Sequence, residues 1–555
     1  MELYKYQKQN LNEIYSKFKQ VDKLCYMLPT SGGKTFVFSH LNKFWVNKFG
    51  TRVLVLCHRE ELVYQAIEEM NRMGVTCEKV MPKNKILRHD SDVYCAMIET
   101  AYRRLLKNPY FFKNVGLIVC DEAHVQVFTK IFSFFPGAKI LGVTATPVVQ
   151  KRIPYFKCKY CKSEYQEETE CCDEVPEAWT KPFAMSSIYE DIVLGPKISE
   201  LIDDYGSLVR DIAFNETCVD TDNLKTDSDG EFTTQSLDDE YSKDGAVFNL
   251  LLNYEKLCHG KKTIIFNSSS KTNLINYTRF KEAGINVRMY DSVNKEQSGN
   301  RKELIDWFKS EDDAVLMNVG CFIAGFSVKE VQAIMINTAI GSLASYIQIC
   351  GRGARITDKF YKDHFILVDG GGNINRHQEF SDPTRDWLDI FWNGLGKPRT
   401  KKENPIDVNS CMECGFMYMK SEPACPNCGA IIPPPTKKDK EEVFSDTVLK
   451  PIREIPPPNG ERIYTYTVSR GENINFAFKI LLGQIVDMFR YYRVTKEQYV
   501  SAKQKGELEK KVKKMIHKCY FTLLSKPDIK AENNRTIKYL LDKAINKLDI
   551  YYNLI

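Results

Sequence analysis

Three groups of residues, far apart in the chain, have the types and spacings needed to work on a phosphate anhydride. The first is Pro29-Thr30-Ser31-Gly32-Gly33-Lys34-Thr35. Gly32 and Gly33 let the backbone come close to an anion and aim N–H groups at it, Lys34 can reach outer phosphates, and the Thr35 hydroxyl can hold Mg2+. Thr30 and Ser31 complete the turn. The usual pattern opens with Gly or Ala at the place held here by Leu28, so the stretch alone also reads as an ordinary strand-to-helix turn. The second group is Asp121-Glu122, directly after the apolar run Val115–Cys120. One carboxylate there can hold Mg2+ through water, and its neighbour can take a proton from a water attacking a terminal phosphate. The third is Arg352 with Arg355, inside Gln348-Ile349-Cys350-Gly351-Arg352-Gly353-Ala354-Arg355. Two guanidiniums three residues apart share a helical face, stay charged and match phosphate oxygens. A surface helix with salt bridges has the same pattern.

These groups need a scaffold that brings them together. The runs Leu24–Leu28, Thr51–Cys57, Asp92–Ile98, Val115–Cys120 and Ala138–Val143 are nearly all apolar, as strands covered on both faces should be. Helical spacing fills the intervals, including residues 3–18 and Phe36–Val46. Polar groups follow the strand ends: His58-Arg59-Glu60-Glu61, Glu99-Thr100, Asp121-Glu122 and Thr144-Ala145-Thr146-Pro147. The pattern predicts a parallel α/β sheet with its site along one edge. A second set of strands, Thr263–Phe266, Asn286–Tyr290, Ala314–Met317, Val331–Asn337 and His364–Val368, has no phosphate loop of its own. It carries the arginine pair, which would close on the first sheet as arginine fingers do. Gln7, about one helix upstream of the loop, has an amide able to read an adenine edge.

The totals set bounds. A chain of 555 residues suggests several domains, and 43% apolar with 27% charged residues is globular composition. No apolar run reaches the length needed to cross a bilayer. The N-terminus lacks a secretory layout, so the expected location is intracellular, the host cytoplasm for a viral source. Eighteen cysteines there fit reduced thiols and metal sites better than disulfides. Cys411-x2-Cys414 and Cys425-x2-Cys428 supply four thiolates for a closed structural zinc site. Cys158-x2-Cys161 followed by Cys171-Cys172 is a less regular set, open to zinc or to free thiols. Charge is uneven. Residues 164–245 hold 23 acidic against 5 basic residues, and residues 437–555 hold 24 basic against 15 acidic. The basic tail suits a polyanion or a solvated helical surface.

As an ordered set, Gln7, PTSGGKT, CHREELVYQ, Ile98-Glu99-Thr100, DEAH, TATP, Gly325-Phe326 and QICGRGAR resembles the superfamily 2 helicases. The subgroup it is most similar to holds the restriction-subunit-like (ResIII-type) DNA helicases, phage branch-migration and repair helicases among them. The resemblance implies two RecA-like parallel-sheet lobes hydrolysing ATP between them, then a small zinc ribbon and a mainly helical C-terminal region. The expected divisions are lobe 1 at 1–214 with a Cys-containing insertion at 151–183, and an acidic flexible loop at 215–245. Lobe 2 follows at 246–396, the ribbon at 405–432, a linker at 433–460 and the basic helical part at 461–555. Carried over by position, Thr30 to Thr35, Gln7 and Gly325 would bind nucleotide, with Thr35 and Asp121 on Mg2+. Glu122, Gln348, Arg352 and Arg355 would be catalytic. Thr144 and Thr146 would couple hydrolysis to lobe movement, and Arg59 and Thr100 would touch strand phosphates with little sequence selectivity. Ser327 and Lys329 depart from the subgroup's usual aspartate and proline. The implied activity is movement of a monomer along DNA rather than RNA, in replication, recombination or repair. A translocase that does not separate strands and an RNA helicase are the other readings.

Overall fold

The computed structural model describes residues 3–82, 91–149, 151–158, 161, 164–165, 177–215, 219, 221–227, 230–291, 300–323, 328–395, 408–410, 417–419, 463, 474–491, 496–524 and 535–551. The first lobe is built on a seven-stranded sheet. Its strands are β1 (Lys23–Met27), β2 (Arg52–Cys57), β3 (Cys77–Val80), β4 (Val93–Met97), β5 (Val115–Asp121), β6 (Lys139–Thr144) and β10 (Asp191–Leu194). Their order is β10-β1-β6-β5-β2-β4-β3, every pair parallel. Helices cover both faces, so the central strands have no polar face. Val53, Leu54, Val55 and Leu56 of β2 are all fully buried, each contributing about 1.5–3 kcal/mol. β1, β6 and β5 are neighbours in this order, so the segments leaving their C-terminal ends must meet. Those segments are the phosphate loop, Thr144 to Thr146 and Asp121-Glu122.

Between β6 and β10 the chain makes a separate three-stranded antiparallel sheet from β7 (Arg152–Lys157), β8 (Glu164–Tyr165) and β9 (Glu177–Pro182), in order β8-β7-β9. Cys158 is buried at the end of β7 and Cys161 is exposed. Cys171 and Cys172 lie outside the described residues.

The second lobe is a six-stranded parallel sheet of β11 (Arg210–Asn215), β12 (Thr263–Asn267), β13 (Val287–Tyr290), β14 (Val315–Asn318), β15 (Ala333–Asn337) and β16 (His364–Asp369), in order β11-β16-β15-β12-β14-β13. Two expectations need correction. Residues 210–214 do not belong to lobe 1, as the expected division has it: β11 pairs with β16 and is the edge strand of lobe 2. The acidic stretch 215–245 is therefore an excursion within the second lobe. It is not irregular throughout. Thr234–Tyr241 is a helix that buries Leu237 and Tyr241, and the Tyr241 hydroxyl donates to the Gly370 carbonyl at 3.3 Å.

After β16 the chain crosses back to lobe 1, where Ser186 Oγ donates to the Trp392 carbonyl at 3.1 Å and Lys197 Nζ to the Pro383 carbonyl at 2.7 Å. The short antiparallel pair β17 (Val408–Ser410) and β18 (Met417–Met419) flanks the first Cys-x2-Cys unit. Cys411, Cys414, Cys425 and Cys428 lie outside the described residues. Among the described residues four helices follow, Ile474–Tyr491, Lys496–Gln504, Glu507–Leu524 and Arg535–Tyr551, around a core that includes Leu481, Ile485, Val512, Ile516 and Leu548. They meet lobe 2 where Gln484 Nε2 donates to Asp363 Oδ2 at 2.6 Å. Among the described residues no helix is long and apolar enough to cross a membrane.

Candidate active site in the cleft between the lobes

The phosphate loop leaves β1 at Met27 and enters helix α2 (Lys34–Phe49) through Gly33, whose φ of 88° is left-handed. Ser31 also has positive φ, at 69°, a costly conformation for a residue with a Cβ. Leu28, the departure from the usual pattern, is fully buried beneath the turn. It fits because its neighbours lack side chains: a Cβ on Gly32 would lie 2.8 Å from Leu28 Cγ, and one on Gly195 2.6 Å from its Cδ1. The turn is held from helix α1 (Lys5–Lys17). Tyr6 donates its hydroxyl to the Gly32 carbonyl at 2.9 Å, and Gln7 Nε2 donates to the same oxygen at 3.1 Å. Gln7 Oε1 accepts the Tyr4 N–H at 2.9 Å. Both ends of this amide are thus used within the protein, which makes Gln7 a brace for the loop.

Asp121 and Glu122 stand at the end of β5, and Glu122 has a φ of 59°. Burial and the charge of Glu122 push the Asp121 carboxyl up to about 7, against the pull of Lys34. Burial raises Glu122 as well, but Lys34, His124, His58 and Arg352 outweigh it and hold that carboxyl below its ordinary value. Burial lowers Lys34, opposed by Glu122 and Asp121. A chain of contacts leads away from Glu122. His124 Nδ1 lies 3.6 Å from Glu122 Oε2 and 3.0 Å from Thr144 Oγ1. Thr144 Oγ1 donates to the Thr146 carbonyl at 2.9 Å and accepts the Thr146 N–H at 3.1 Å. Both threonines are fully buried.

The second lobe supplies the opposite wall from one helix, Leu343–Gly353, and the residues just after it. Gln348 Nε2 donates to Glu122 Oε2 at 3.4 Å. Arg355 Nε donates to Ser31 Oγ at 2.9 Å. Arg352 Nε donates to the Ile323 carbonyl at 3.1 Å within its own lobe, and its charge is among those acting on Glu122. Gly351 lies against the loop, where a Cβ would come 2.9 Å from Thr30 Cβ. The cleft therefore gathers three cations, Lys34, Arg352 and Arg355, around two carboxylates. That excess suits a polyphosphate anion. The fit extends to polar atoms: Thr30 Oγ1, His58 Nδ1 and Thr146 Oγ1 are buried with no protein partner. Thr35, in the first turn of α2, and Asp121, at the end of β5, carry oxygens of the kind that Mg2+ takes as ligands.

The residues expected to meet a strand are less gathered. Arg59 precedes the helix Glu60–Arg72, and its Nη1 donates to the Cys321 carbonyl of lobe 2 at 3.4 Å. Thr100 is buried in the helix Ile98–Lys107. Gly325 lies outside the described residues. Sequence spacing alone gives His58, Tyr6 and Gly351 no role of their own. Each lies beside a recognised motif residue, which is the signal that could have found it. A further pair joins the lobes, Arg301 with Glu61.

Such a composite site defines an ATP-hydrolysing enzyme of two RecA-like lobes. Comparison with known proteins adds the family. Residues 1–149 match the model described as type III restriction enzyme, res subunit, and residues 243–357 match the helicase conserved C-terminal domain. The 51.5 kDa protein of a Lactococcus phage is 26% identical over 408 residues, covering 72% of this chain and 76% of that one. A Saccharomyces cerevisiae protein named ATP-dependent helicase IRC3 is 27% identical over 377 residues, covering 66% of this chain and half the length of that one. Among solved structures, the ATP-dependent Type ISP restriction-modification enzyme LlaBIII bound to DNA is similar at a TM-score of 0.48 and 16% identity, over 66% of this chain and 28% of that chain. The chain carries the two domains of a superfamily 2, ATP-hydrolysing helicase.

Proposed function

We propose that this chain couples ATP hydrolysis to movement along DNA, separating the strands of forked or branched substrates. The observation that carries the reading is the composite cleft, with Arg355 on Ser31 and Gln348 on Glu122. A nucleotide there joins the lobes by giving the arginines an anionic partner, and hydrolysis removes the reason for closure. Lys34 binds the outer phosphates and Glu122 accepts the proton of the attacking water. Arg352 and Arg355 stabilise charge on the transferred phosphoryl group. Thr35 and Asp121 hold Mg2+, which neutralises phosphate charge when bound. Glu122, His124, Thr144 and Thr146 form the route by which the state of the cleft reaches the body of lobe 1. Arg59, Thr100 and the backbone at Gly325 are the proposed strand contacts.

The res-subunit match of the first lobe favours DNA over RNA, and the basic tail adds a surface for it. In the helix Glu507–Leu524, Leu508, Val512, Ile516 and Cys519 are buried, leaving Lys510, Lys511, Lys513, Lys514 and Lys518 exposed. Such a face suits backbone phosphates of either nucleic acid. Zinc on Cys411, Cys414, Cys425 and Cys428 would fold the ribbon, and a second zinc on Cys158, Cys161, Cys171 and Cys172 would staple the insertion. Metal content of the purified chain tests both, with about one or two equivalents expected.

Strand displacement on forked DNA, a four-way junction and an RNA duplex tests the main reading, with Glu122→Gln as the inactive control. ATP-dependent displacement of the DNA substrates is expected. DNA-stimulated hydrolysis without displacement would make the chain a translocase, and equal displacement of RNA would overturn the DNA assignment.

A further inference from the structure

An α-helix leaves its last carbonyls without partners in the helix. At and just past the end of Leu343–Gly353, three successive carbonyls are taken. Lys362 Nζ donates to the Gly353 carbonyl at 2.6 Å and to the Arg355 carbonyl at 2.9 Å. The Val209 N–H, just before β11, donates to the Ala354 carbonyl at 2.8 Å. Lys362 Nζ also donates to the carbonyl of Val331, two residues before β15. An ammonium has three N–H donors, and three carbonyls receive them here. The backbone of Arg355 is thereby tied to the base of the lobe 2 sheet, while its guanidinium spans the cleft to Ser31.

We propose that Lys362 is a positioning residue for Arg355, fixing the backbone from which the guanidinium reaches the phosphate loop. The proposal rests on the reading of Arg355 as the group that meets the nucleotide's terminal phosphate. Ordering a half-buried lysine side chain costs conformational entropy, which the three carbonyl contacts offset. Burial and the charge of Arg355 lower Lys362 to about 7, and Glu330, itself paired with Lys359 at 3.2 Å, opposes them. A neutral amine has two N–H donors for the three carbonyls, so deprotonation loosens the tie.

The test compares the full chain with Lys362→Met, Lys362→Arg and Arg355→Ala in steady-state hydrolysis, nucleotide affinity and thermal melting. Lys362→Met should lower kcat by about ten- to a hundredfold, the loss that displacement of a catalytic contact brings. Nucleotide Kd should stay within about twofold. Lys362→Arg, which keeps the charge, should recover part of kcat. The wild-type kcat should fall at alkaline pH well below the ordinary lysine value of about 10.4, and Lys362→Met should lack that limb. Unchanged kcat in Lys362→Met, with turnover lost in Arg355→Ala, overturns the proposal alone. Unchanged turnover in Arg355→Ala overturns the reading of Arg355 beneath it. A kcat loss matched by a lower Tm, with no recovery in Lys362→Arg, marks a folding role and also overturns the proposal.

Discussion

Arg355 and Ser31 stand 324 positions apart in sequence and meet at 2.9 Å, Nε to Oγ. The contact joins the end of the arginine helix to the turn that would hold a phosphate. Each lobe thus contributes one wall of the cleft, with Ser31 and Glu122 on one side and Arg355 and Gln348 on the other.

Gly351 sets how close the halves can come. Alanine there would put a methyl 2.9 Å from both Thr30 Cβ and Thr30 Cγ2. Overpacking of this size costs about 1–3 kcal/mol, roughly 5- to 150-fold in the closing equilibrium. Gly351→Ala should lower ATP turnover by about that factor. Its Tm should hold or rise, because alanine favours the helix by about 0.5–1 kcal/mol. Steady-state kinetics and melting together check this, and unchanged turnover would contradict the packing argument.

Gln7 braces the loop with both ends of its amide. Gln7→Ala leaves the Tyr4 N–H without that acceptor and removes one of two donors to the Gly32 carbonyl. A loss of about 1 kcal/mol, roughly fivefold in nucleotide affinity, is expected. ATP and GTP should weaken alike, as titration of each would report. A loss confined to ATP would mark Gln7 as reading the adenine edge instead.

His377 gives the second lobe an acid-sensitive point. Its Nε2 lies 2.8 Å from the Ile340 carbonyl and its ring stacks on Tyr346. Burial, outweighing the Ile340 contact, lowers it to about 4. The unfolded chain binds a proton near 6.5 and the folded chain near 4. The neutral form's stability is therefore complete above about pH 6.5 and is lost as pH falls toward 4, by at most about 3 kcal/mol. His377→Gln keeps a donor for Ile340 and should flatten that part of the profile. Melting curves from pH 7.5 to 4.5, set to bracket that window, check it; parallel wild-type and variant profiles would contradict it.

Ten strands of the two sheets were legible because strands covered on both faces are apolar throughout, as Val53 to Leu56 are; β3, β10 and β11 were not. The motif residues were legible because phosphate chemistry restricts residue types. What escaped was non-local. Ile212 to Phe214 is a short apolar run with nothing local to assign it to either lobe, and only pairing with β16 does so. In Thr234–Tyr241 the acidic composition hid the spacing of Leu237 and Tyr241, four apart on one face. β3 has one fully buried residue, Val80, and so lacks the apolar signature of its neighbours. Lys362 is one lysine in a charged segment, and nothing nearby in sequence marks it as the donor to three carbonyls.

The claim that the site is shared between the lobes is tested most directly by ATP turnover and ATP affinity of Arg355→Ala measured together. Turnover should fall by about 10³-fold or more, as for loss of an arginine finger, while affinity stays close to that of the unaltered chain. Turnover near the wild-type rate, or ATP binding lost along with turnover, would contradict the account.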